Sequence, residues 1–302
     1  MTTTIIKKYQ NGNATIEIQS DGTRIITFAD NLELEYPLNI DIRVSEKCSM
    51  GFNPATNTSR CAFCHESARV DGNVANFDIL LNKLAGLPAG IELAIGVNQW
   101  NKQFEHFLQV TKDRGWIVNA TVNHGHLLRD YKAINDAIQK KLVYGVGISY
   151  RKEFPLERLS LIESDNVVLH VIAGIDDIED VRQLSQTGIK KLLILGEKDF
   201  GFNINKVNLD SANHKNWYRK TVTLLDDFEV VSFDNLALEQ INFKRFITDE
   251  HWNSAYQGEH SMYINAVSGY FAPSSRSNEK TNWDKMSLKE FFKQKEMNDG
   301  VY

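Results

Sequence analysis

Long apolar runs are missing from this 302-residue chain, and so is any concentrated block of lysine or arginine. A membrane-crossing helix needs about 20 consecutive apolar residues, so none is expected. The opening Met1-Thr2-Thr3-Thr4-Ile5-Ile6-Lys7-Lys8 lacks the apolar core of a secretory signal. Basic residues (34) are outnumbered by acidic ones (39), giving a formal net charge of −5, so no overall field draws the chain to nucleic acid. Cysteine is scarce, with three residues in all. Three thiols and no export signal exclude a disulfide framework and fit a reducing compartment, read here as cytoplasmic. Internal repeats and low-complexity tracts are also absent.

What is present is enough apolar material, 42% of residues, to bury a sizeable core. Residues 1–38 read as a β hairpin or meander: Asn11-Gly12 and Asp21-Gly22 are turn signals around the β-branched runs 14–18 and 24–28. From residue 39 short β-branched runs, at 39–45, 91–96, 116–122, 143–149, 167–173 and 190–195, alternate with helical stripes. The stripes are Phe77, Leu80, Leu81 and Leu84; Phe104, Phe107, Leu108 and Thr111; Tyr131, Ile134, Ile138 and Leu142; and Ile178, Val181 and Leu184. Strand and helix in strict alternation predict a parallel sheet with right-handed crossovers, here an α/β, partial (β/α)6 TIM-type barrel over 39–245. Residues 228–233 are apolar enough for one further strand. Residues 246–302 read as an irregular C-terminal extension covering the barrel, with a last helix at 287–295. Its aromatics, Trp252, Tyr256, Tyr263, Tyr270 and Phe271, suit either a lid over a substrate or a hydrophobic plug.

All three cysteines fall in one segment, Cys48-x12-Cys61-Ala62-Phe63-Cys64. Three thiolates are an incomplete ligand set for a [4Fe–4S] cluster and leave one iron open. If residues 39–45 form the first parallel strand, Cys48 lies just past its carboxyl end, the rim where barrels build active sites. Zinc is the competing reading, with His65 or another histidine as fourth ligand, in a zinc-stabilised binding protein without catalysis. Cys61-Ala62-Phe63-Cys64-His65 also matches the c-type haem pattern, which requires export. Three buried thiols that bind nothing are the remaining alternative.

The segment resembles the cluster loop of the radical S-adenosylmethionine superfamily, in which an aromatic residue, here Phe63, precedes the last cysteine. The commonest spacing there is Cys-x3-Cys-x2-Cys; this chain keeps the second half and stretches the first gap, making 49–60 a polar excursion. The resemblance implies that Cys48, Cys61 and Cys64 bind a [4Fe–4S] cluster whose open iron chelates S-adenosylmethionine. It further implies reductive cleavage to a 5′-deoxyadenosyl radical that takes hydrogen from a substrate. On the second strand Gly96, Val97 and Asn98 stand where the superfamily has a glycine-rich turn for the methionine amino group. Ser149 ends the fourth strand, where a polar side chain meets ribose or carboxylate. Ile172 ends the fifth, where an apolar one flanks adenine. An external electron donor such as flavodoxin or ferredoxin is implied, while substrate and catalytic residues are unassigned. With every thiol used, auxiliary all-cysteine clusters are excluded. His124 and His126, the loop 196–201 and Glu66 are further residues at the same rim, each with an ordinary reading as a turn, a solvated loop or a surface group.

Overall fold

The computed structural model describes residues 4–249, 252 and 260–299, with side chains through 295. Tyr256 lies outside the described residues. Strands β1 (Ile5–Asn11), β2 (Ala14–Gln19) and β3 (Arg24–Thr27) form an antiparallel meander, as the two turn signals predict.

The main sheet holds β4 (Asn39–Arg43), β7 (Glu92–Val97), β8 (Ile117–Asn123), β9 (Gly145–Ser149), β10 (Val167–Ile172), β11 (Lys191–Leu195) and β12 (Val230–Phe233), in that spatial order and all parallel. Between β4 and β7 lie a two-stranded hairpin, β5 (Lys47–Asn53) and β6 (Thr58–Ser59), and helix α1 (Phe77–Lys83). Helices α2 (Lys102–Asp113), α3 (Leu127–Gln139) and α4 (Ile178–Gln183) follow β7, β8 and β10; α5 (Ala212–Lys220), α6 (Leu224–Asp227) and α7 (Asn235–Gln240) come later. Starts are set by side-chain caps: Asn76 accepts from the Ile79 amide, Asn101 from Phe104 and Asp234 from Ala237.

The extension beyond residue 246 is more regular than its sequence suggests. It supplies β13 (Ser261–Asn265), β14 (Tyr270–Ala272), β15 (Thr281–Asn282) and helix α8 (Leu288–Asp299). β13 pairs in parallel with β4, and β14 and β15 continue antiparallel, so the extension adds to the sheet as well as packing on it. Among the described residues the sheet thus has ten strands and is not closed, with β12 and β15 at its two ends.

The two faces of this sheet differ. Ile40, Ile42, Leu93, Ile95, Val118, Ile148, Leu169 and Ile194 are buried in one core with Phe104, Phe107, Leu108 and Ile134 of the helices. The alternate positions, Asn39, Asp41 and Arg43 on β4, Asn119, Thr121 and Asn123 on β8, Ser149 on β9 and His170 on β10, are half-buried or exposed. A parallel sheet sandwiched between helix layers is apolar on both sides; here the second face mixes these polar positions with apolar ones such as Ala94, Val168 and Leu193.

Parallel strands place all carboxyl ends on one side. The meander occupies the opposite side: Arg24 pairs with Glu92 at the start of β7 (2.5 Å), and Lys191, the first residue of β11, donates to the Asp21 carbonyl (2.6 Å). β4 and β11 are five positions apart, about 24 Å in a flat sheet. Yet Lys198, just beyond β11, approaches His65, in the loop after β4, and Ser275, beyond β14. Segments from both parts of the sheet therefore meet across its polar face.

Candidate functional site

The polar excursion between the first two cysteines is ordered as a β hairpin with an exposed tip. Phe52 pairs with Ser59 and Asn53 with Thr58 around a turn in which Asn57 takes φ +54°, a left-handed conformation that asparagine tolerates. The hairpin folds the chain back, so Cys48 on β5 and Cys61 just after β6 are buried in one cluster with Met50 and Ala68. Phe63, Cys64 and Phe154 pack against it. A turn carries the last cysteine, the Cys64 amide donating to the Cys61 carbonyl (3.0 Å). The loop after β11 docks from above, Phe202 donating its amide to the Cys64 carbonyl (3.0 Å) and Lys206 its ammonium to the Ala62 carbonyl (3.2 Å).

None of the three cysteines is in a disulfide. Burial pushes all three thiols up, Cys61 to about 11, against the pull of the Arg151 guanidinium. Cys61 also feels the charge of Cys48 and Cys64, as expected for sulfurs that are neighbours. Arg151 lies 4.2 Å over the Phe63 ring and 3.7 Å from Asp176, both ion-pair partners being buried. Asp176 accepts the Ile172 amide at 2.7 Å, and burial pushes its carboxyl up to about 6 despite Arg151.

The other sequence-predicted residues sit on the same rim with distinct roles. Gly96 faces the polar side, and a side chain there would meet nothing within 4 Å, so the space above it is open. Val97 points the other way into the core, which leaves only its backbone to face a ligand. Asn98 gives its carbonyl to Arg129 (3.0 Å). Ser149 is half-buried, in register with Asn123 and His170 on its neighbours. Ile172 is half-buried at the end of β10. His124 and His126 are buried in a short turn that Asn123 caps, while helix α3 after it has no side-chain cap; His126 also lies 3.0 Å from the Ser49 hydroxyl, tying this turn to the hairpin. The tail aromatics Tyr263 and Phe271 are buried, and Tyr270 lies beside Tyr263.

Next to the thiols is a charged group in which His65, Glu66 and the loop of Lys198 were marked by the sequence and Asp41 and Arg43 were not. Arg43 pairs with Glu66 (2.6 Å), Glu66 with His65 (3.2 Å), and the Lys198 ammonium lies 3.5 Å from His65 and 3.1 Å from the Ser275 hydroxyl. Asp41 is open to solvent, yet the protein around it desolvates its carboxyl enough to push it up, with Lys198 pulling it down. The signal for Asp41 and Arg43 lies in Asn39-Ile40-Asp41-Ile42-Arg43 itself. Such alternation within a parallel strand marks a wet face.

The donors have the right chemistry for a cluster: three soft sulfurs, none in a disulfide, in or against one small apolar cluster of side chains. As the side chains stand, no group of three or more His, Cys, Asp or Glu among the described residues is arranged to hold a metal ion. The chain therefore presents the sulfurs as neighbours and not as a preset cage, which is common where metal binding completes local folding. Among the described residues no helix is long and apolar enough to cross a membrane. No protein-family model matches this chain, and no curated protein matches it in sequence.

Proposed function

We propose that this chain is a radical S-adenosylmethionine enzyme built on an open, curled (β/α)6-type sheet, working in a reducing compartment with an external one-electron donor. The observation that carries the reading is the gathering of Cys48 with Cys61 and Cys64 across a twelve-residue gap, all free of disulfides, in the segment that follows the carboxyl end of β4. When bound, a [4Fe–4S] cluster with S-adenosylmethionine supplies reductive carbon–sulfur cleavage and a 5′-deoxyadenosyl radical.

The chain's own contribution is to hold, shield and orient. The three cysteines would supply thiolates, and because burial keeps them protonated, loading releases protons and is favoured by rising pH. Phe63, clamped under Arg151, walls the thiols on one side, and the β5–β6 hairpin with Phe202 of the docked loop limits water. Open space over Gly96 leaves room at the end of β7, while the Ser149 hydroxyl and the Ile172 side chain offer one polar and one apolar surface further along the rim.

Anaerobic incubation with ferrous iron and sulfide is expected to give a brown protein with about four irons per chain. Addition of dithionite and S-adenosylmethionine should then release 5′-deoxyadenosine, and Cys61→Ala should abolish both. Uptake of one zinc and no cluster would replace this reading with that of a zinc-stabilised binding protein.

A further inference from the structure

We propose that the loop after β11, residues 196–206, is a brace that positions Cys61 and Cys64 relative to Cys48, with Gly201 and Lys206 as its positioning residues. This rests on reading the three thiols as one ligand set, and not on what that set binds. The loop is stiffened before it reaches the cysteines. At its root the Gln240 side chain on α7 exchanges two hydrogen bonds with the Glu197 main chain, both 2.8 Å. The buried Asn203 side chain donates to the Glu197 carboxylate and to the Lys198 carbonyl, both at 3.0 Å, and Asp199 accepts the Asn205 amide. A loop crossed by its own side chains in this way presents a fixed surface to whatever it touches.

That surface meets the turn that carries the last two cysteines. Lys206 donates its ammonium to the Ala62 carbonyl (3.2 Å) and also to the Phe202 carbonyl, so one charge joins segments 144 residues apart. Phe202 donates its amide to the Cys64 carbonyl (3.0 Å). Gly201, at φ +64°, approaches so closely that a side chain there would fall 2.2 Å from the His65 carbonyl oxygen. The His65 ring in turn meets Phe200 edge-on at 5.3 Å. Among the described residues, the hydrogen bonds that reach the main chain of 61–65 from outside 59–67 come from this loop. Arg151 and Arg43 also grip the segment, but at the Phe63 ring and at Glu66.

Cys48 is held by other means. It lies on β5, where the neighbouring Ser49 hydroxyl is 3.0 Å from His126 and the Phe52 amide donates to the Ala68 carbonyl (2.8 Å). The three sulfurs thus stand on two supports, and the brace fixes the second against the first. Release of the brace should free Cys61 and Cys64 while leaving Cys48 as it is.

The test uses the full-length, metal-free protein and a short pulse of iodoacetamide. Trypsin cuts after Lys47, Arg60 and Arg69, so Cys48 falls in one peptide and Cys61 with Cys64 in the next. Mass spectrometry then reads the two alkylation rates separately. Lys206→Met and Gly201→Ala are each expected to speed labelling of the 61–69 peptide roughly fivefold or more, the weight of one lost hydrogen bond to a charged group, with the 48–60 peptide unchanged. Lys206→Arg keeps a cationic donor and should restore the wild-type rate. Unchanged labelling of 61–69 in both variants, equal acceleration of both peptides, or failure of Lys206→Arg to rescue would overturn the proposal. No iron enters this measurement, so iron uptake by the wild-type protein decides separately what the thiols bind.

Discussion

At the scale of single residues, the buried groups of the rim oppose one another in their response to pH. Asp176 has its carboxyl raised from 3.8 to about 6, chiefly by burial. The folded chain therefore holds an extra proton between those values, and this site lowers stability as pH rises from about 4 to about 6. His126 and His170 are depressed from 6.5 to about 4, again by burial. There the unfolded chain binds the extra protons, so these sites raise stability as pH rises from about 4 to 6.5 and lose that contribution as it falls. Asp176→Asn removes one side of the balance. Whatever it costs through Arg151, its unfolding free energy should climb across that window more steeply than wild type, by roughly 2–3 kcal/mol. Urea titrations at half-unit pH intervals would reveal it, and parallel curves would refute it. The cysteines, Phe63 and the rim histidines were legible from the sequence because their residue types carry chemistry on their face. Arg43 was not, since an ordinary charged residue acquires meaning only when the fold brings it to a partner, here Glu66.

At the scale of elements, α1, α2 and α4 could be read from periodicity, whereas only Ile134 of the α3 stripe is a buried residue of that helix, and α5, α6 and α7 lie beyond the last stripe. Phe104, Phe107, Leu108 and Thr111 are the buried residues of α2, and Leu80 and Leu81 those of α1. The turns between elements are less transparent, because their constraints come from across the molecule. Gly174, after β10, takes φ +93°, and a side chain there would fall 2.1 Å from the His214 ring nitrogen Nε2 on α5. Nothing in Ala173-Gly174-Ile175 announces this contact. Gly174→Ala combines backbone strain with a clash against a buried ring that also lies 3.5 Å from Glu197. The expected cost is about 3 kcal/mol. Gly188, also at positive φ (+85°) but with nothing near its absent side chain, gives the control: Gly188→Ala should cost only about 1 kcal/mol. Equal losses in thermal denaturation would show that the contact with His214 is immaterial.

At the scale of the whole molecule, the succession of βα units was visible in the sequence, while the contribution of the last forty or so residues to the sheet was not. The run Met262-Tyr263-Ile264 has the composition of a strand, but its partner, β4, lies at the other end of the chain. Met262, Ile264, Phe271 and Phe292 are fully or almost fully buried. At about 2 kcal/mol for each such side chain, their removal costs on the order of the entire stability of an ordinary domain. A chain ending at residue 249 should therefore be insoluble or aggregated by size-exclusion chromatography; a soluble, cooperative monomer would contradict that. The same pairing sets a timetable for synthesis. β4 gains β7 soon after leaving the ribosome, and each later strand joins the one before it. The outer edge of β4 waits for β13, roughly 220 residues downstream. At about 5–20 residues per second that is some 10–45 s during which a nascent chain carries an unpaired strand beside its cysteine loop, and co-translational chaperones have their clearest target there.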